Sequence, residues 1–336
     1  MIPFARPSLD GNERAYINEC LDTGWLTHAG RFESAFQDAF QARFTNVERN
    51  TCIATSSGTG ALHLALLAMG VTRGDEVIVP SLTFGATAAA VLAVGATPVF
   101  VDVCRETWGI DYRRVPDLIT ARTKAILPVH LYGEDAGYFR GFCLPVIEDS
   151  CEALGMVPLR GDLACFSFYG NKVITTGEGG MLCGSSELIE KARLYRDGGF
   201  DSDYRHMVPG LNYRMTNLQA ALGLAQLERL DYLLRRRLAN VEAYKKALPG
   251  KGKWLFVAET KTPRSLAEHL TAHGVESRPL FMPMHRCPAF EQYAKGRFDV
   301  ADEIWRNGLA LPTGPHLSEA DVTKIIRLVN GYNYEC

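Results

Sequence analysis

Six short apolar runs dominate the middle of the chain: EVIVP (76–80), TPVFVDV (97–103), KAILPVH (124–130), LPVIEDS (144–150), LACFSF (163–168) and GGMLCG (179–184). Each is bounded by turn residues, and helical patterns such as GALHLALLAMG (60–70) separate them. Strands that are apolar almost throughout have both faces covered. With intervening helices they predict an α/β fold built on a largely parallel sheet from about residue 50 to 185. A length of 336 residues exceeds one simple core and suits a large unit with a smaller partner.

A long helix is expected next. TNLQ (216–219) fits a capping box, and Leu218, Ala221, Leu222 and Ala225 mark one helical face. Its charged continuation to about Leu248 is read as leaving a large domain (1–235) for a small α+β domain (236–336). The latter holds a strand-like KWLFVA, two amphipathic helices and a Pro-rich joint, GVESRPLFMPMHRCP. The first 30 residues are expected to pack on this small domain or line the cleft.

A hydrophobic fraction of 47% with 22% charged residues is that of a soluble globular protein. The net charge of -2 predicts no general attraction to nucleic acid or anionic membrane. The dense basic run LRRRL (234–238) reads as a solvated helix face. Nine scattered cysteines without a CxxC predict reduced thiols and a cytoplasmic setting. No run of 18 apolar residues and no signal-peptide pattern is present, so no membrane span is expected.

Three features carry chemistry. Ser57, Gly58 and Thr59 precede an apolar helix, and a helix N-terminus with small residues can hold a phosphate. Asp149 ends a predicted strand, where open α/β sheets bind ligands. Lys172 follows an aromatic strand and precedes a Thr/Gly run, so it either caps the strand or is an amine kept for chemistry. The first two also read as plain helix caps. Together, a phosphate cup, a strand-end carboxylate and a loop lysine are the parts that pyridoxal 5′-phosphate requires. Phe84 could stack on its ring or simply fill the core. His269 and His273 share a helix face but lack a third ligand, and are read as surface.

Several ordered blocks resemble the DegT/StrS-type sugar-nucleotide aminotransferase family, and most of all its perosamine synthase branch. They include SSGTGALHLAL, VPSLTFGATAAAVLAVGATPVFVDV, VIEDSCEALG, FSFYGNKVITTGEGGML and GLNYRMTNLQAALGLAQLERLD. The resemblance implies a type I pyridoxal-phosphate-dependent transferase fold, working as a homodimer with sites at the subunit interface. It implies that Lys172 bonds covalently to the cofactor and Asp149 faces its pyridine nitrogen. Glu152 would lie near the ring hydroxyl, with Gly58, Thr59 and Ser167 at the phosphate and Phe84 stacked on the ring. Asn212 would reach the partner's phosphate, while Trp25, His285 and Arg286 would line the sugar-nucleotide cleft. The implied reaction moves the amino group of L-glutamate to a nucleotide-linked 4-keto-6-deoxyhexose. A dehydratase branch of the family carries histidine in place of this lysine; a binding protein without turnover is the other alternative. MVPLR (156–160) and EDAGYFRGF (134–142) are shorter than the family's hairpin and helix at these places.

Overall fold

The computed structural model describes residues 1–45 and 50–335. Seven strands form the main sheet: β1 (Asn50–Thr55), β2 (Glu76–Pro80), β3 (Thr97–Val101), β4 (Thr123–Ile126), β5 (Ile147–Asp149), β6 (Leu163–Ser167) and β7 (Gly180–Ser185). Ladders join β3-β2-β4 and β1-β7-β6-β5. Parallel bridges Ile126–Val146 and Val129–Asp149 connect the two groups into one sheet. All six predicted strands are present. β7 departs from the parallel rule, pairing antiparallel with both β1 and β6.

Among the described residues there are ten α-helices: α1 (Glu13–Thr23), α2 (Arg31–Phe44), α3 (Gly58–Ala68), α4 (Gly85–Ala93), α5 (Ser186–Arg196), α6 (Asn217–Glu228), α7 (Leu230–Ala247), α8 (Pro263–Ala272), α9 (Asp299–Arg306) and α10 (Glu319–Glu335). Phe32, Phe36 and Phe40 recur every fourth residue along α2 and are buried on one face. Phe36 and Phe40 meet Phe168 with ring centroids 5.3 and 5.8 Å apart, and Phe40 meets Phe166 at 5.2 Å. Each such ring contributes on the order of 2–3 kcal/mol by leaving water. Because strand side chains alternate, Cys165 and Ser167 of β6 then point to the opposite face, toward α3.

The capping box forms as predicted. Thr216 Oγ1 accepts the Gln219 N–H at 3.2 Å, and Gln219 Oε1 accepts the Thr216 N–H at 2.9 Å. The expected single long helix breaks at Arg229, whose backbone (φ -104, ψ 5) leaves the helical range. The basic run is not a uniform solvated face either. Arg235 is exposed, but Arg237 is buried and donates to Trp254 O at 2.8 Å and Thr313 Oγ1 at 2.9 Å.

The C-terminal part carries a second, antiparallel sheet in the order β10-β11-β9-β8. Its strands are β8 (Gly250–Lys251), β9 (Phe256–Glu259), β10 (Arg278–Pro279) and β11 (Gly308–Leu311). Its own core joins Val241 and Tyr244 of α7 with Leu266, Leu270, Val322 and Ile325. The described part of 249–336 holds three α-helices rather than the two expected: α8 and α10 pack on this sheet, and α9 joins the large core. Ile2 bridges Val275, so the N-terminus docks on this part, whereas α1 packs on α6. Residues 280–306 instead pack on the large core through Leu280, Met284, Phe298 and Ala301. Asp102, just after β3, accepts the Val300 and Ala301 N–H groups at 3.1 and 2.9 Å and so caps α9 across the molecule.

Cys52 and Cys183 are directly opposed in the β1–β7 register, with Cα atoms 4.2 Å apart, and form a disulfide. The expectation of reduced thiols throughout is therefore corrected. A sequence separation of 131 hid a pairing that only sheet register creates. Among the described residues no helix is long and apolar enough to cross a membrane.

Between β4 and β5 the chain forms two short 3-10 turns, Leu131–Gly133 and Arg140–Phe142, joined by an irregular segment. That segment is pinned by Asp135, which receives two bonds of 2.7 Å from Arg160. The Arg160 guanidinium holds the Asp135 carboxyl at about 2. A depressed carboxyl stabilises the fold above its unfolded value of 3.8, and this contribution is lost as pH falls toward about 2. Both partners are about one-third exposed, so solvent screening limits the pair to about 1 kcal/mol. Asp135→Asn should lower unfolding free energy by about that amount at neutral pH. The gap to wild type should close as urea titrations are repeated at decreasing pH; a pH-independent gap would rule out the ion pair as its source.

Candidate active site

The C-terminal ends of β5 and β6, the start of α3 and the loop after β6 enclose a cavity of ≈ 330 Å³. At its floor Ser57 caps α3, its Oγ accepting the Gly60 N–H at 3.0 Å. The following N–H groups have no carbonyl one turn earlier, so the helix end is a seat for an anion. Position 58 must be glycine for this packing. A Cβ there would stand 2.8 Å from Ser167 Cβ and 2.9 Å from Cys151 Sγ.

Asp149 is only 6% exposed. Its Oδ2 accepts the Thr87 hydroxyl at 2.8 Å, and Thr87 pairs with Thr83 at 2.8 Å. Its Oδ1 accepts the Cys151 N–H at 3.1 Å. The carboxylate is thus fixed from behind while it lines the cavity. Neighbouring Glu148 points to the other face, where its carboxylate accepts the Arg160 N–H.

Lys172 sits in a turn closed by its N–H to Tyr169 O at 2.9 Å. Its side chain is 14% exposed and its Nζ lies 3.3 Å from Glu152 Oε1. Glu152 Oε2 accepts the Tyr132 N–H at 2.9 Å. Burial pushes the Glu152 carboxyl up, and the Lys172 charge pulls it partly back. A buried ammonium–carboxylate pair, a second fixed carboxylate and a helix N-terminus therefore face one another across the cavity.

A model of the DegT/DnrJ/EryC1/StrS aminotransferase family matches residues 7–330. The chain belongs to this family. It is 44% identical to a GDP-perosamine synthase of Caulobacter vibrioides, covering 97% of this chain and 96% of the relative. It is 39% identical to a GDP-perosamine synthase of Escherichia coli O157:H7, covering 98% of each. The fold superposes on a putative sugar aminotransferase, Spr1654 of Streptococcus pneumoniae in its PMP form. That match has a TM-score of 0.92 at 26% identity and covers 99% of this chain and 98% of the other. The family makes this chain a pyridoxal-phosphate-dependent aminotransferase of fold type I. The Caulobacter alignment runs over 360 positions against 336 residues here, so the relative carries segments this chain lacks.

In this family member, Gly58, Thr59, Phe84, Asp149, Glu152, Ser167 and Lys172 all line the one cavity. Phe84 is 57% exposed and meets Phe281 at 5.4 Å, which rules out the core reading. Four of the expected residues lie elsewhere. Asn212 is exposed and accepts from Arg214 Nε at 3.1 Å. Trp25 is 53% exposed and does not line the cavity. His285 is held by Ser81 Oγ at 2.6 Å and Asp302 Oδ1 at 3.1 Å, and stacks on Phe298. Arg286 forms an ion pair with the same Asp302. Within one chain, then, His285 and Arg286 are engaged with α9 rather than with the cavity. Sequence reading missed Trp254 and Phe281, which arrive from the C-terminal part to form a wall. It also missed Thr87, whose place three residues after Phe84 in a helix's first turn was the available signal.

Proposed function

We propose that the chain moves the amino group of L-glutamate to C4 of a nucleotide-linked 4-keto-6-deoxyhexose. GDP-4-keto-6-deoxymannose is the acceptor and GDP-perosamine the product. The observation that carries the reaction class is Lys172 Nζ facing a cavity whose other walls are Asp149 and the α3 N-terminus. The sugar choice is supported by the GDP-perosamine synthase relatives.

The donor set fits pyridoxal phosphate. The glycine cradle and free N–H groups at Gly58 and Thr59 suit its phosphate, Asp149 its pyridinium nitrogen, and Lys172 its aldehyde. When bound, the cofactor supplies an aldehyde that takes up the amine and a ring that accepts an electron pair. Asp149 presents its carboxylate to the cavity, fixed by Thr87 and the Cys151 N–H. Lys172 Nζ would accept the proton from the α-carbon of the amino donor and hold it for return. Glu152 keeps that nitrogen in reach. Asn212 and Trp25, on the exposed surface, complete the site of a second copy in a homodimer that works in the cytoplasm. Light scattering should give twice the chain's mass.

Adding L-glutamate to the cofactor-loaded protein should bleach the visible band and release one 2-oxoglutarate per site. The keto-sugar nucleotide that restores the band is the acceptor. A band indifferent to glutamate would favour the dehydratase or another donor. No band after added pyridoxal phosphate would remove Lys172 as anchor and favour a binding protein.

A further inference from the structure

Trp254 stands between β8 and β9, is 1% exposed, and reaches the cavity from the C-terminal part. Its ring face lies 4.1 Å from Lys172 Nζ. Three anchors fix that face. Its Nε1–H donates to Asn171 O at 3.2 Å, in the turn that carries Lys172. Its own N–H donates to Tyr132 O at 2.8 Å, and its ring stacks on Tyr132 at 6.5 Å. Its carbonyl accepts both the buried Arg237 Nη1 at 2.8 Å and Thr313 Oγ1 at 2.6 Å. The Nε1–H bond and the Tyr132 ring hold the indole in this orientation, and the main-chain bonds fix the backbone beneath it, so its face is a built surface for a cation.

We propose that Trp254 is a positioning residue for Lys172: its ring face holds Nζ beside Glu152 and favours the protonated amine. The physical basis is the negative face of the indole, strongest among aromatic rings and strengthened by exclusion of water. The proton that Lys172 must accept and return is thus stabilised without a second carboxylate at Nζ. Of the charged and titratable groups lining this cavity, Glu152 at 3.3 Å and Asp149 also favour the ammonium, as does Glu178, while burial pushes the Cys151 thiol up and keeps it neutral. The inference rests on the role proposed for Lys172, but its test does not.

Fluorinated tryptophans keep the shape of the ring while draining charge from its face, so no cavity opens. The full chain is produced with mono- to tetrafluoro-tryptophan. Lys172 is then titrated by competitive labelling with an amine-reactive reagent, read by mass on its own peptide. The titration is done with the enzyme converted to its amine-loaded state by L-glutamate, and again after the cofactor is stripped. The midpoint should fall stepwise with each fluorine, by about one pH unit in total. Trp254→Phe, which keeps a ring face, should fall between wild type and the most fluorinated protein. A midpoint that does not move across the series overturns the proposal, whether or not Lys172→Ala proves inactive. Conversely, a graded shift in a chain that never turns over would uphold the contact and fault only the role given to Lys172.

Discussion

Lys172→Ala should slow the glutamate half-reaction by on the order of 10³-fold or more, with little change in stability. Positioned acid–base catalysis alone contributes roughly 10²–10⁴, and this variant also loses covalent anchoring. The fold should survive because the turn around position 172 is closed by main-chain atoms and by Thr175 Oγ1 on Phe168 O, none of which involve the side chain. What the side chain does touch is Glu152 and the Trp254 ring. Without the ammonium, Glu152 loses the charge that pulls its carboxyl down, and burial alone then acts on it. The variant should therefore hold Glu152 protonated to a higher pH than wild type does. Stopped-flow absorbance with glutamate measures the loss. Added small primary amines should restore part of the rate, since they fill the space beside Glu152 and can carry the proton. A variant within about tenfold of wild type would remove Lys172 from the chemistry.

The strands were legible because each is a closed apolar run with turn residues at both ends, a pattern that burial on both sheet faces imposes. The phosphate cup and Asp149 were legible for a related reason. In an α/β sheet, ligands meet strand ends and helix starts, so position along an element already implies position in the site. Lys172 stood out as an amine among aromatic and small residues. What escaped has a common cause in long-range contact. Trp254 reads locally as one more apolar residue of the strand-like KWLFVA; only the docking of the C-terminal part brings it over Nζ. Arg237 reads as the last arginine of a basic run, yet one turn of α7 faces Trp254 and Thr313. Cys52 and Cys183 are joined by register alone, across a sequence separation of 131. The shortened segments at 134–142 and 156–160 were visible as missing length. Neither segment contributes a residue to the cavity wall.

Asp149→Asn should cost about 10²–10³-fold in the same half-reaction, because a preorganised, nearly buried charge aimed at a ligand is worth several kcal/mol. The substitution is nearly isosteric, so packing is not the variable. The backbone N–H of Cys151 can still find an oxygen at this position. Thr87 can donate to that oxygen or accept from the new amide, but no arrangement leaves a negative oxygen facing the cavity. Thr87→Val separates charge from placement. It leaves the carboxylate charged and removes one hydroxyl that holds Oδ2, a bond to a charged group whose loss should cost on the order of tenfold. If the carboxylate acts by charge, the two variants should differ by at least about tenfold in rate, and the Asn variant should not be restored by raising pH. If Thr87→Val is as slow as Asp149→Asn, orientation and not charge is the contribution of this residue. Equal, small losses in both would mean that Asp149 caps the following turn and nothing more.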